Sequence, residues 1–155
     1  QPLEVGSMLE SIRRDALALS NQQHSVQVAL ECEARLVGSE QELRSAISNL
    51  AFNAVRYTPA GSQITLRWAA LPNGSACIEV DDDGEGIDPF HIPRLTERFY
   101  RVDKGRSTAT GGTGLGLAIV KHVLLRHDAQ LQVESLPGEG ALFRCVFPPS
   151  RVVNS

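Results

Sequence analysis

Gly111-Gly112-Thr113-Gly114-Leu115-Gly116-Leu117-Ala118 places a cluster of glycines directly before an apolar, helix-forming stretch. Glycine lets a backbone turn sharply and come close to a ligand, and the N-terminus of the helix that follows offers free amides and partial positive charge. Such a stretch suits a phosphate cradle. It also suits a flexible loop that merely leads into a core helix, because a glycine-spaced match of this kind is weak on its own. What stands elsewhere in the chain decides between the two.

Downstream, a helix is expected from about Gly114 to His127, after which Leu131 and Val133 alternate with Gln132 and Glu134 as in a strand. Pro137-Gly138-Glu139-Gly140 reads as a turn, and Phe143, Cys145 and Phe147 point inward from a last strand that Pro148-Pro149 ends. Cys145 is therefore expected in the core and Cys77 on the polar side of its strand. Residues 150–155 read as a frayed tail, which gives one domain over 1–149 and a tail over 150–155.

Upstream, Met8, Leu9, Ile12, Ala16 and Leu19 recur at helical spacing within a helix expected from Pro2 to about Gln23. Val26, Val28 and Leu30 alternate as a strand, and a short strand is expected through Arg35 to Val37. Ser39-Glu40-Gln41-Glu42 matches a capping box, in which the Ser side chain and the Glu three residues on satisfy each other's backbone amides. The helix it opens carries Leu43, Ile47, Leu50 and Ala54 on one side and Asn49, Asn53 and Arg56 on an adjacent side. Without context, that polar stripe is a solvated helix face.

Tyr57-Thr58-Pro59-Ala60-Gly61 ends the helix. Ile64, Leu66 and Trp68, then Ile78 and Val80, alternate on either side of the turn Pro72-Asn73-Gly74, predicting two antiparallel strands. Asp82 falls on the same side as Ile78 and Val80, so a carboxylate stands on the apolar face and needs a hydrogen-bonding partner. Asp82-Asp83-Gly84-Glu85-Gly86-Ile87 resembles the start of a calcium loop, but Phe90 and His91 stand where oxygen donors would be wanted. Pro89 and Pro93 bracket the start of a short helix. Basic residues then surround Phe99 and Tyr100, and residues 105–114 read as a long loop of the kind that serves as a lid.

A chain of 155 residues that is 42% hydrophobic fits one compact domain with a proper core. The net charge of −3, with both signs mixed along the chain, disfavours nucleic acid or an anionic membrane as partner. The three cysteines, Cys32, Cys77 and Cys145, are far apart and lack metal-ligand spacing, which fits a reducing cytosol. The longest apolar stretch, near Leu115 to Leu125, is broken by Lys121 and His122 and is too short to span a bilayer. A start at Gln1 without a signal peptide leads us to expect a piece of a longer chain. One-sided helices and strands predict an α/β two-layer sandwich: a mixed, largely antiparallel sheet covered on one face by helices.

Four stretches carry a resemblance. Asn49-Leu50-Ala51-Phe52-Asn53-Ala54-Val55-Arg56-Tyr57-Thr58-Pro59, Asp82 to Ile87, Glu97-Arg98-Phe99-Tyr100-Arg101-Val102-Asp103 and Gly112 to Leu117 resemble the N, G1, F and G2 boxes of two-component sensor histidine kinases, in that order. The likeness covers nearly the whole chain and implies the catalytic ATP-binding domain, with the Bergerat fold of the GHKL superfamily. Within it, residues 92–104 are similar to phosphate-regulon sensor kinases.

Box by box, the resemblance implies ATP and Mg²⁺ as ligands, with Asn53 and Asn49 on the metal and Asp82 accepting from the adenine amino group. Tyr57 would lie against the base, Ile87 line its pocket, and Gly84, Gly86 and Phe99 belong to the same nucleotide site. Arg56, Arg101, Lys104 and Arg106 would meet phosphates, and Gly112, Thr113, Gly114, Leu115 and Gly116 would form the cradle. Asn53, Arg56 and Arg101 are the residues implied in the chemistry. Two positions depart from the pattern: Asp83 where Asn is usual, and Asp128-Ala129 where Gly-Gly is usual. Asp tolerates a left-handed backbone better than most residues.

The implied activity is transfer of the γ-phosphoryl group to a histidine on a separate dimerisation domain, and onward to a response regulator. The alternatives are a GHKL-type ATPase and a nucleotide-binding module without catalysis. The hydrolytic relatives resemble one another in a Glu one turn before the metal-binding Asn, where this chain has Asn49; an amide cannot take a proton from water. His24, His91, His122 and His127 lack the setting of a phosphoacceptor. The piece is therefore expected to bind ATP without phosphorylating itself, to be monomeric, and to belong to the cytoplasmic side of a protein anchored in the bacterial inner membrane.

Overall fold

The computed structural model describes residues 2–56, 58–83, 114–135 and 140–153, with backbone alone at 114–116 and 135. Among the described residues three α-helices, α1 (Val5–Leu19), α2 (Glu40–Arg56) and α3 (Gly114–Arg126), accompany eight strands: β1 (Pro2–Leu3), β2 (Ser25–Leu30), β3 (Arg35–Val37), β4 (Gln63–Ala70), β5 (Ala76–Asp82), β6 (Gln130–Ser135), β7 (Ala141–Phe147) and β8 (Val152–Val153). The main sheet runs β2-β4-β5-β7-β6. Every pairing in it is antiparallel except β2 with β4, whose parallel register requires the crossover that contains α2. This is the α/β sandwich that the alternation predicts.

Helices line one face of that sheet. Leu9 and Ile12 of α1, Leu43, Ile47 and Leu50 of α2, and Val120, Val123 and Leu124 of α3 join Ile64, Leu66, Trp68, Ile78, Val80 and Phe147 in one buried cluster. Each such side chain contributes about 1.5–3 kcal/mol on burial, against about 0–1 for an exposed ion pair, so this layer holds the fold. Trp68 places its indole N–H on the Ala34 carbonyl at 3.0 Å, which removes the cost of burying that donor.

Several expectations are corrected. Pro2 and Leu3 form β1 and the first helix begins only at Val5 and ends at Leu19, because Asn21 and Gln22 take left-handed φ of 58° and 63°. Part of the stretch expected to fray does not: Val152 and Val153 form β8, which pairs with β3, and β3 pairs in turn with β1 in a small second sheet, while residues 154 and 155 lie outside the described residues. Arg151 holds this end by reaching Asp128 Oδ2 at 3.3 Å and the Arg126 carbonyl at 3.4 Å. Cys77 lies on the sheet face opposite the helices, as alternation requires, yet it is fully buried. It sits on the central strand, with Glu79, Arg144 and Arg67 close enough to influence its thiol, and burial pushes that thiol up to about 11. Cys145, in the core as expected, is pushed by burial to about 12.

The face away from the helices is held by a ladder of charge. Arg67, Glu79 and Arg144 stand directly opposite one another on β4, β5 and β7. Arg67 donates to Glu79 Oε1 at 2.6 Å and Arg144 to Glu79 Oε2 at 2.7 Å, so both carboxylate oxygens are satisfied. Burial alone would raise the Glu79 pKa, but the hydrogen bonds from Arg144 and Arg67 outweigh it and hold the group below its ordinary 4.5. A depressed carboxylate contributes stability that is present above its unfolded pKa and is lost as pH falls through the folded one. Melting temperature should therefore decline below about pH 4.5 in part through Glu79. Glu79→Gln should flatten that decline and destabilise the chain at pH 7 by about 1–3 kcal/mol. The figure lies below that for a dry ion pair because both arginine side chains remain 26% exposed. Thermal scans of both proteins from pH 7 to pH 3 check this; parallel curves would refute it.

Candidate functional site

Helix α2 carries two jobs on one surface. Leu43, Ala46, Ile47, Leu50, Ala51, Ala54 and Val55 are buried, while Asn49, Asn53 and Arg56 stay half-exposed beside them. The three polar residues are thus on one stripe, as their spacing predicts. Asn49 donates its Nδ2 to the Ser45 carbonyl at 3.0 Å, a bond one turn back along the helix. That leaves its Oδ1 as the amide's outward acceptor. Among the described residues, the side chains of Asn53 and Arg56 have no hydrogen-bond or ion-pair partner.

The start of α2 is fixed differently from a full capping box. Ser39 Oγ accepts from the Glu42 amide at 3.3 Å, which is the expected half. The Ser39 amide donates instead to His127 Nε2 at 3.0 Å, while Glu42 turns away to Arg126 at 2.7 Å. His127 is 3% exposed, and its Nδ1 lies 2.8 Å from the Val123 carbonyl. Since Nε2 accepts, the proton resides on Nδ1 and is donated to that carbonyl. A Cβ at Gly38 would collide with this imidazole, so glycine is needed there for the ring to approach. The C-terminal end of α3 is in this way bolted to the N-terminal end of α2.

The same end of α3 resolves one of the two departures. Asp128 takes a left-handed φ of 57°, its amide donates to the Leu125 carbonyl and the Ala129 amide to the Leu124 carbonyl, which is a Schellman ending without glycine. The Asp128 carboxylate meets Arg151, an interaction glycine could not make.

Asp82 closes β5 on the helix-facing side and is 8% exposed. Its Oδ1 accepts from the Ala141 amide at 3.3 Å, the partner that burial demands. Gly140, with φ of +97°, passes so close that a Cβ there would collide with the Asp82 carbonyl oxygen. Residues 140 and 141 are site-shaping positions that reading the chain alone missed: Gly140 registered only as part of a turn. Counting register across β5 and β7, where Asp82 faces Ala141, would have found them. Asp83 is exposed, and its Oδ1 accepts from the Gln63 amide at 2.7 Å, so the extra charge is tied to the start of β4.

Helix α2 packs against both β5 and α3, which brings together the elements that carry Asn49, Asn53 and Arg56, Asp82, and Gly114, Leu115 and Gly116 in the first turn of α3. Tyr57, Gly84, Gly86, Ile87, Phe99, Arg101, Lys104, Arg106, Gly112 and Thr113 lie outside the described residues, as do the short helix expected near Pro89 and the lid. Among the described residues no group of three or more His, Cys, Asp or Glu could hold a metal. Among them also, no helix is long and apolar enough to cross a membrane.

Residues 38–151 match the family model described as histidine kinase-, DNA gyrase B-, and HSP90-like ATPase. The phosphate regulon sensor protein PhoR of Pseudomonas aeruginosa is 54% identical across all of this chain, and that of Haemophilus influenzae is 40% identical across 97% of it; the match covers 35% of each of those proteins. The chain thus spans about a third of the length of these curated relatives. Among solved structures, the mycobacterial sensor histidine kinase MprB superposes with a TM-score of 0.82 at 26% identity, over 96% of this chain and 97% of that one. Full-length ShkA in complex with AMPPNP superposes at 0.83 and 25% identity, over all of this chain and 31% of that one. The chain belongs to the histidine kinase-, DNA gyrase B-, and HSP90-like ATPase family, and within it to the ATP-binding catalytic domains of sensor histidine kinases.

Proposed function

We propose that this domain binds Mg-ATP and passes the γ-phosphoryl group to a histidine on a dimerisation and phosphotransfer domain of the same protein, from which a response regulator receiver domain takes it. Phosphate-starvation signalling at the cytoplasmic side of the inner membrane is the setting that the likeness to phosphate regulon sensors favours. The observation that carries transfer over hydrolysis is the chemistry of α2. Its two carboxylates, Glu40 and Glu42, sit in the first turn and pair with Arg44 and Arg126, while Asn49, one turn before Asn53, is an amide already bonded to Ser45. No carboxylate on that helix stands one turn before Asn53 to take a proton from water, whereas a neutral imidazole needs no such base to attack phosphorus.

Asp82 accepts the adenine amino group, the role that the resemblance of residues 82–87 implies; it stands at the end of β5 beside the Ala141 amide, which donates to its Oδ1. Asn53 and Asn49 present amide oxygens to the metal, and magnesium, when bound, neutralises phosphate charge and so favours phosphoryl transfer. Arg56, Arg101, Lys104 and Arg106 meet the phosphates, with Gly112, Thr113, Gly114, Leu115 and Gly116 as their cradle. Tyr57, Ile87, Phe99, Gly84 and Gly86 enclose the base. Neither His24 nor His127 offers a free imidazole to phosphorus, since each is bonded within the fold. This domain alone, a monomer by this reading, does not phosphorylate itself and makes no direct contact with membrane or nucleic acid.

Incubated with γ-labelled ATP, the chain alone should take up no label and release phosphate slowly, yet it should label a supplied histidine domain. Rapid phosphate release without transfer would overturn the reading in favour of an ATPase. In a titration with Mg-AMPPNP, Asp82→Ala and Asn53→Ala should each weaken binding by about 10-fold or more, the loss of a charged or metal-bridged hydrogen bond. Asp83→Asn, which keeps an acceptor for the Gln63 amide, should stay within about 2-fold of wild type. Unchanged affinity in the first two variants would dismiss the assigned site.

A further inference from the structure

The turn between α1 and β2 is costly to form and is held in place by a specific set of bonds. Asn21 and Gln22 are consecutive non-glycine residues at left-handed φ, a conformation that persists only where its surroundings over-determine it. The turn delivers residues 23–25 to the segment that leaves α2. Gln23 accepts from the Gly61 amide at 2.7 Å, the Ser25 amide donates to the Ser62 carbonyl at 3.1 Å, and between them His24 reaches Thr58.

Hydrogen-bond accounting fixes the roles. Thr58 is buried, and its hydroxyl donates to the Ala54 carbonyl at 2.6 Å. That proton is committed, so at the 3.0 Å contact with His24 Nε2 the hydroxyl oxygen can only accept. Nε2 therefore carries the proton, which the Thr58 carbonyl at 3.2 Å shares. Nδ1 is buried with no hydrogen-bond partner among the described residues, a site for a lone pair but not for a second N–H. The ring is a one-proton latch. It closes on the residue two places after Arg56, and through Ala54 on the last turn of α2, the turn that carries Asn53 and Arg56.

We propose that His24 is a positioning residue for nucleotide binding: by pinning Thr58 it sets the orientation of the last turn of α2. The inference rests on the assignment of that turn to the Mg-ATP site. A latch of this kind acts through another residue and touches no nucleotide itself. Its loss lets the end of the helix fray, and the amide of Asn53 and the guanidinium of Arg56 then have to be ordered when the ligand arrives.

The test is a Mg-AMPPNP titration of wild type, His24→Ala, His24→Gln, Thr58→Val and the double variant His24→Ala/Thr58→Val, with thermal scans alongside. Ile12→Val, a core change in the middle of α1 at a residue that makes no part of the latch, is the control for stability alone. His24→Ala and Thr58→Val should each weaken binding about 3- to 10-fold, as expected for one or two net hydrogen bonds. The double variant should be no more than about 2-fold worse than either, because both changes remove one interaction. His24→Gln, which restores an N–H donor, should recover most of the loss, and Ile12→Val should lower the melting temperature without moving affinity. Wild-type binding with unchanged affinity in both single variants would overturn this inference alone. Should His24→Ala fail to fold, Thr58→Val decides by itself: unchanged affinity refutes the latch. A wild-type chain that does not bind Mg-AMPPNP would overturn the functional reading as well.

Discussion

Helix α2 is buried along one side and keeps a polar stripe open along the same few turns, and the rest of the domain is arranged to allow it. Seven of its side chains go into the core, which fixes its rotation and leaves Asn49, Asn53 and Arg56 on the adjacent stripe. Burial alone fixes rotation better than it fixes the ends, because apolar packing has no direction. Directional bonds supply what it lacks. At the first turn these are Ser39 to His127 and Glu42 to Arg126, and after the last turn Thr58 to Ala54 and His24. The helix is tied at one end to α3 and at the other to the α1–β2 turn, so its polar stripe is held relative to both neighbours.

This arrangement explains which parts of the structure were legible in the chain. Periodicities of 3.6 and 2 report which side of an element is buried, so the sandwich, the hairpin of β4 and β5 and the placement of Asp82 could be read from alternation. The stripe on α2 was equally plain, although its spacing alone does not separate a ligand face from a solvated one, and its assignment to a ligand rests on the boxes around it. Long-range partners leave no such trace. Nothing near Ser39 announces that His127, 88 residues away, takes the amide a capping box would give to Glu42. Likewise Val152 and Val153 have no helical or alternating context of their own, and only pairing with β3 makes them a strand. Cys77 shows the limit of the period-2 argument, which gives the face of a residue but not how far its neighbours' long side chains cover it.

Asp128 shows how a departure from a family pattern can be absorbed. A left-handed residue with a side chain is less favourable than glycine by about 1 kcal/mol. Here that cost is set against a Schellman ending and an ion pair to Arg151, whose guanidinium also caps the Arg126 carbonyl at the negative end of α3. The substitution thus joins the C-terminal segment to the helix whose first turn we assign to the phosphate cradle. Asp83 is absorbed more simply, by accepting the first amide of β4.

Strand β5 brings the two faces of the sheet into one argument. Toward the helices it ends in Asp82, a buried carboxylate that we propose accepts the adenine amino group; on the other face it carries Glu79 between two arginines. A buried carboxylate on a frayed or edge strand would draw in water or neutralise itself. Asp82 instead ends a central strand, flanked by β4 and β7 along its whole length, and the Arg67-Glu79-Arg144 ladder ties those same three strands together three residues away. The ladder lies on the opposite face of the sheet from Asp82, yet it ties together the strands whose register sets Ala141 beside that carboxylate. The ion pairs on one face and the proposed contact to adenine on the other therefore depend on a single strand.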